Sequence, residues 1–231
     1  MRFSLLVLSL YSAAPFAPTA RALHRAAAGR STALASPMMV FDLAAPLRGS
    51  SPWSALRGAQ PETMFEDGYR IDFTMETLHL TKRRCSGGIS VRSSPEAIWR
   101  VITAYERMPD IIPNILSNIV TRDAAGVAGG VRIDQDALLS RKMNLRTSMT
   151  LEAVEDRDRW TLALRRLSGH GFLSFEGTYQ LQPRADGTTY LSYVVELVPC
   201  PIFPLPLVER KIRKEVPKML SAVARVASLE G

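Results

Sequence analysis

A chain of 231 residues with an apolar share of 46% has room for one domain and its core, or at most two small domains. Its formal charge of +7 would ordinarily point to an acidic partner, but residues 1–60 hold six arginines, no lysine and a single acid, Asp42. Subtracting these from the 29 basic and 22 acidic residues of the chain leaves 23 and 21 in residues 61–231, so bulk charge gives no reason to expect nucleic-acid binding.

In chain order, the first feature is the apolar run FSLLVLSL at residues 3–10 behind Arg2, the n- and h-regions of a secretory signal. A membrane-spanning helix needs about 20 apolar residues, so this run is too short to be one. Small residues Ser12, Ala13 and Ala14 follow, then Pro15-Phe16-Ala17-Pro18, then an acid-free tract rich in Ala, Ser, Thr and Arg through residue 36. That composition is the one transit peptides use. The reading is a signal peptide over 1–15 and a plastid transit peptide with linker over 16–60. The joint SAAPFAP resembles the Ala-Phe-Ala-Pro motif in the bipartite presequences of algae with secondary plastids; plain secretion is the alternative destination. Residues 37–70, with Pro37, Pro46, Pro52 and Pro61 and no sustained period, are expected to end the presequence and continue as linker.

The body is expected to begin at Asp72 and run to residue 228. Thr74–Lys82 alternates, and Ile89–Arg92 reads as a short strand after Gly87-Gly88. Ser94 then serves as N-cap with Pro95 at the first helical position, and Ala97, Ile98, Val101 and Ile102 give the apolar side of a helix. A second short helix around Tyr105–Ile112 ends at Pro113, with Asn114 as a turn residue. Strands follow at Ile115–Arg122, Val131–Leu138, Asn144–Val154, Trp160–Leu167, Phe172–Gln182 and Thr188–Val198, separated by turn sequences such as PRADG at 183–187. Adjacent strands with short connections predict an antiparallel meander. Its apolar face carries Leu145, Met149 and Leu151; Trp160, Leu162 and Leu164; Leu173, Phe175, Gly177, Tyr179 and Leu181; and Leu191, Tyr193, Val195 and Leu197. The cover for this face is a C-terminal helix over Leu207–Leu229, with Val208, Ile212, Val216, Met219, Leu220, Val223 and Val226 near 3.6 spacing and Pro217 expected to kink it. The fold class is α+β.

No motif of catalysis or metal binding emerges. Cys85 and Cys200 form no CxxC or Cys/His cluster and read as a reduced pair in a reducing compartment, with a disulfide between them as the alternative. There is no GxSxG, HExxH or P-loop. Acid–base chemistry would have to come from His79, Arg166, His170 or Glu176, and His170 between two glycines reads as a turn residue. Tyr179 and Tyr193 are the candidates for donating a hydrogen bond to a ligand carbonyl.

Three stretches, in order and at suitable spacing, resemble the START-like (SRPBCC) superfamily, which has the helix-grip or Bet v 1-like fold. They are Ser94-Pro95-Glu96 through Trp99, Ala104-Tyr105 and Pro113-Asn114; Phe175-Glu176-Gly177-Thr178-Tyr179; and Pro204-Leu205-Pro206-Leu207-Val208-Glu209-Arg210. More narrowly, they are similar to the polyketide cyclase/dehydrase and coenzyme Q-binding START-domain group. The resemblance implies a curved antiparallel sheet wrapped around the last helix, with a deep apolar cavity between them. It implies binding of a hydrophobic small molecule (a lipid, prenylquinone or pigment), with no cofactor, no metal and no transferable catalytic residue. Leu145, Met149, Trp160, Leu162, Phe175, Tyr179, Tyr193 and Met219 are the expected cavity lining. Ile202, Phe203, Leu205 and Arg210, in and after the apolar VPCPIFPLPL segment, are the expected cavity mouth or membrane contact. Two other readings stand beside ligand carriage: a polyketide cyclase or dehydratase acting on an aromatic precursor, and a membrane-associated assembly scaffold.

Overall fold

The computed structural model describes residues 61–126 and 130–230. Among these, nine strands form one antiparallel sheet: β1 (Glu62–Glu66), β2 (Tyr69–Thr77), β3 (Arg83–Val91), β4 (Ile115–Arg122), β5 (Val131–Ser140), β6 (Leu145–Asp156), β7 (Thr161–His170), β8 (Phe172–Pro183) and β9 (Thr189–Pro199). Helix α1 (Pro95–Thr103), a 3-10 turn at Tyr105–Arg107 and helix α2 (Met108–Ile111) lie between β3 and β4, and helix α3 (Leu205–Glu230) follows β9. The order across the sheet is β1-β2-β3-β9-β8-β7-β6-β5-β4. Every neighbouring pair is sequential except β3 with β9, whose register runs from Arg83↔Leu197 to Val91↔Thr189. This is the helix-grip arrangement, with α3 packed on the inner face of the curved sheet.

Local chemistry accounts for most boundaries. Ser94 caps α1 by accepting from the Ala97 N–H at 3.2 Å, and Pro95 opens the helix. At the far end of the same junction, the Ser93 hydroxyl donates to the Ala227 carbonyl of α3 at 3.0 Å, and Thr189 donates to the Ser93 carbonyl at 2.8 Å. These bonds tie α1, α3 and β9 together where the core is fully buried.

Three sequence expectations change. The linker does not extend to residue 70, because β1 and the start of β2 lie inside it as a hairpin. Its turn is Asp67-Gly68, whose φ values of 49° and 80° are the two left-handed positions that a tight hairpin requires. Second, β2 stops at Thr77; residues 78–82 form a turn in which Leu78 and His79 N–H groups both reach the Lys82 carbonyl. The following strand starts at Arg83, so Gly87-Gly88 sit within it rather than before it. A Cβ on Gly87 would lie 2.7 Å from Leu220 Cδ1 and 2.9 Å from Val216 Cγ1, so the missing side chain is what seats α3 on β3. Third, α3 starts at Leu205 and continues as one element past Pro217, which is buried within it. The proline removes the N–H that the Arg213 carbonyl would accept, yet the packed face of Val208, Val216, Leu220 and Ala224 carries the helix through.

Candidate functional site

Between the inner sheet face and α3 lies a cavity of about 190 Å³. A single water needs roughly 10–15 Å³ of such space, so the void is large enough for an organic molecule. Its wall comes from the end of α1 and the segment that follows it (Ile102, Met108, Ile112), from the inward phases of β5 to β9, and from Ile212, Val216 and Met219 of α3.

Strand β8 shows how the wall is made. Its pairing with β9 shifts register between Phe172 and Ser174, a bulge that turns both Phe172 and Phe175 inward with ring centroids 6.0 Å apart. Leu173, inward by simple alternation, is 57% exposed instead. Further along β8, Tyr179 stacks on Tyr193 of β9 at 4.5 Å between centroids, and the Tyr179 hydroxyl donates to Met219 Sδ at 3.0 Å. Burial raises the pKa of both phenols, that of Tyr193 further through the neighbouring Tyr179 and Cys85, so both stay protonated. Cys85 is buried and free; its thiol is pushed up to about 12 by burial, against a smaller opposing effect of Arg213, and is inert as a nucleophile at neutral pH.

The polar part of the wall lies on the 3-10 turn and the β4–β5 pair. Tyr105 donates its hydroxyl to Glu155 at 2.6 Å; burial first, then this bond, raises its pKa. Asn118 Nδ2 donates to the Tyr105 carbonyl at 2.8 Å, and Gln135 Nε2 donates to Asn118 Oδ1 at 3.1 Å. Asn114 also lines the cavity, and its Oδ1 is buried without a hydrogen-bond partner. On α3, Lys211 and Glu215 line the void and pair with each other at 3.2 Å.

Of the residues expected to line the cavity, Met149, Phe175, Tyr179, Tyr193 and Met219 are brought together in its wall, whereas Leu145, Trp160 and Leu162 are not. Trp160 has a φ of 53° and belongs to the β6–β7 turn, where its ring meets Trp99 edge-on at 5.7 Å. Leu162 is core at the same end, and Leu145 is half-buried where β6 begins. None of the four expected mouth residues borders the void. Phe203 is buried in the core, Leu205 is half-buried, and Ile202 and Arg210 are exposed, Ile202 by 78%. The acid–base candidates are no closer: His79, His170 and Glu176 are exposed, and Arg166 turns back to the Gly169 and Leu173 carbonyls. Sequence reading left out the β4–β5 wall and took Asn114 for a turn residue. A signal existed in β5, where Gln135 occupies the inward phase of Val131, Ile133 and Ala137.

Comparison with known proteins agrees with this geometry. The family described as "polyketide cyclase / dehydrase and lipid transport" matches residues 82–228. No curated protein matches the chain. Among solved structures, the Zhui aromatase/cyclase from Streptomyces sp. R1128 is similar at a TM-score of 0.56 and 15% identity, covering 64% of this chain and 94% of that one. TTHA0849 from Thermus thermophilus is similar at a TM-score of 0.54 and 17% identity, covering 63% and 97%. A START superfamily protein from Mycobacterium smegmatis gives a TM-score of 0.52 at 17% identity, covering 63% and 98%. At these identities the structures speak for the fold alone, and the family match carries the assignment: the chain belongs to the polyketide cyclase/dehydrase and lipid transport family of the START-like superfamily.

Proposed function

We propose that the protein binds and carries a hydrophobic or amphipathic small molecule in the cavity between sheet and α3. The observation that carries this reading is the chemistry of the wall. It is predominantly aliphatic and aromatic, with a few fixed polar groups, the composition of small-molecule sites. Its titratable groups are the mutually paired Lys211 and Glu215 and three phenols kept protonated by their surroundings. A lipid, prenylquinone or pigment suits such a wall. Native mass spectrometry and solvent extraction of the recombinant protein test it. Recovery of a lipid-like molecule is the expected result. A folded protein that retains nothing, and binds nothing across a panel of lipids and quinones, overturns it.

The family description also supports a cyclase or dehydratase on an aromatic precursor, and the buried Tyr193 phenol is the group this reading would use. Turnover of such a precursor that is lost in Tyr193→Phe, with folding intact, would favour it over carriage.

We place the contact with a membrane surface at one end of the sheet. The β5–β6 turn carries Arg141, Lys142 and Met143, all exposed. The Ser148↔His170 pairing sets the β7–β8 turn beside it, and the Cys200 N–H donates to the Gly171 carbonyl at 3.0 Å, which brings in the turn that carries Ile202. Exposed apolar tips among exposed cations are what an anionic lipid surface attracts. For the destination of the chain, the plastid remains our reading of residues 1–60.

A further inference from the structure

The direction of the hydrogen bonds at the polar part of the cavity identifies the headgroup it is built for; this deepens the carriage reading and rests on it. The Tyr105 carbonyl can only accept. Asn118 therefore turns Nδ2 toward it, at 2.8 Å, and is left with Oδ1 to offer Gln135. Gln135 must then present Nε2, at 3.1 Å, and keeps Oε1 as the unspent end of the relay. The orientation of both amides is thus set by a group that has no alternative role. Further along the same β4–β5 wall, Asn114 is held by its backbone carbonyl, which accepts from the Leu138 N–H at 2.7 Å. Its side-chain Oδ1 lies buried and unpaired in the lining. Buried acceptors of this kind are rarely left unsatisfied, because each forfeits its bond to water. The wall therefore offers one buried oxygen that asks for a donor, Asn114 Oδ1, and the relay leaves a second amide oxygen, Gln135 Oε1, free on the same wall.

We propose that the ligand is an apolar molecule bearing a hydroxyl, an alcohol or a phenol, and that Gln135 and Asn114 accept from it. An ammonium donor would have to shed its hydration in an apolar void whose one lining carboxylate, Glu215, is already paired with Lys211.

The test uses two probes of equal ring size, 2-naphthol and 2-methoxynaphthalene, measured by equilibrium dialysis against the intact protein. One hydrogen bond to a buried acceptor changes affinity by about tenfold, so 2-naphthol should bind about tenfold more tightly. In Gln135→Met and in Asn114→Leu that preference should fall while binding of the methoxy probe stays constant. Asn114→Leu removes no protein hydrogen bond of the side chain, so it reports even where Gln135→Met disturbs the relay and folding. Equal binding of the two probes to the wild-type protein overturns the hydroxyl proposal and leaves the carriage reading standing. A preference that survives in both variants overturns the assignment to these residues. Binding of neither probe overturns the hydroxyl proposal, and the lipid and quinone panel then decides the carriage reading.

Discussion

Gly177 and Tyr193 act as a single steric unit. Gly177 of β8 lies beside the Tyr193 ring of neighbouring β9, and a Cβ there would come within 3.0 Å of the Tyr193 hydroxyl and 3.2 Å of Cε2. The space that the glycine leaves is therefore filled by protein, and adding a methyl must push the phenol toward the void. Gly177→Ala is expected to cost about 1–3 kcal/mol of stability and to weaken ligand binding by narrowing the cavity. Thermal unfolding and dialysis against 2-naphthol read the two effects; a variant with wild-type affinity would show that Tyr193 does not border the bound molecule. The same scale explains which site residues were legible in the sequence. Met149, Phe175, Tyr179 and Tyr193 follow plain alternation from their strands, so period two finds them. Phe172 escapes because a bulge resets the phase, and Trp160 misleads because its left-handed φ takes it out of the strand. Neither a bulge nor a positive φ at a tryptophan leaves a compositional mark.

At the scale of elements, the β3–β9 pair is the one contact that closes the sheet non-sequentially, and it is pinned by charge on its outer side. Glu196 of β9 meets Lys82 at 2.6 Å and accepts from Arg84 Nε at 2.8 Å. Burial alone would raise its carboxyl pKa, but the bonds from Lys82 and Arg84 outweigh that and hold it below the usual carboxylate range. A depressed acid stabilises the fold above its unfolded pKa of about 4.3 and loses that stabilisation as pH falls through the folded value. The stability gap between wild type and Glu196→Gln should therefore be full at pH 7, at about 1 kcal/mol after allowance for solvent screening, and should shrink toward pH 3. Urea unfolding at the two pH values measures it, and a gap that does not change with pH would exclude a native-state role for the pair. The turn between β9 and α3 carries a different prediction. Ile202 projects into solvent while Phe203 beside it is core, so Ile202→Asp should leave folding intact. It should reduce flotation with phosphatidylglycerol vesicles about tenfold, the worth of one buried isoleucine; unchanged flotation would remove this turn as a lipid contact. Elements with strong caps and turns were readable, α1 from Ser94-Pro95 and β8–β9 from PRADG. Strand β1 was not, because an edge strand with alternating exposure in a proline-rich neighbourhood has little hydrophobic signature, and only Asp67-Gly68 betrays it.

At the scale of the whole molecule, the charge of the chain separates into two parts with different physical meaning. The domain from Glu62 onward needs both its sheet edge and α3. Ile71 and Phe73 of β2 are fully buried, and Arg213 of α3 lies over the Phe73 ring at 5.5 Å, so a boundary at residue 72 would cut through the core. This domain is close to electroneutral, with 23 basic and 21 acidic residues in 61–231. Most of the positive excess lies in residues 1–60, where six arginines against one acid accompany an apolar run and an acid-free tract. Secretion requires the apolar run and nothing more, whereas import into an organelle requires a positively charged, acid-poor tract behind it. A fusion of residues 1–60 to a fluorescent protein, expressed in an alga with a secondary plastid, should therefore deliver fluorescence to the plastid. Replacing Arg21, Arg25 and Arg30 with glutamate should hold the fusion at an earlier membrane compartment while leaving entry into the secretory route intact. Export of the unmodified fusion from the cell would refute plastid targeting and make secretion the destination, without touching the cavity or its polar wall.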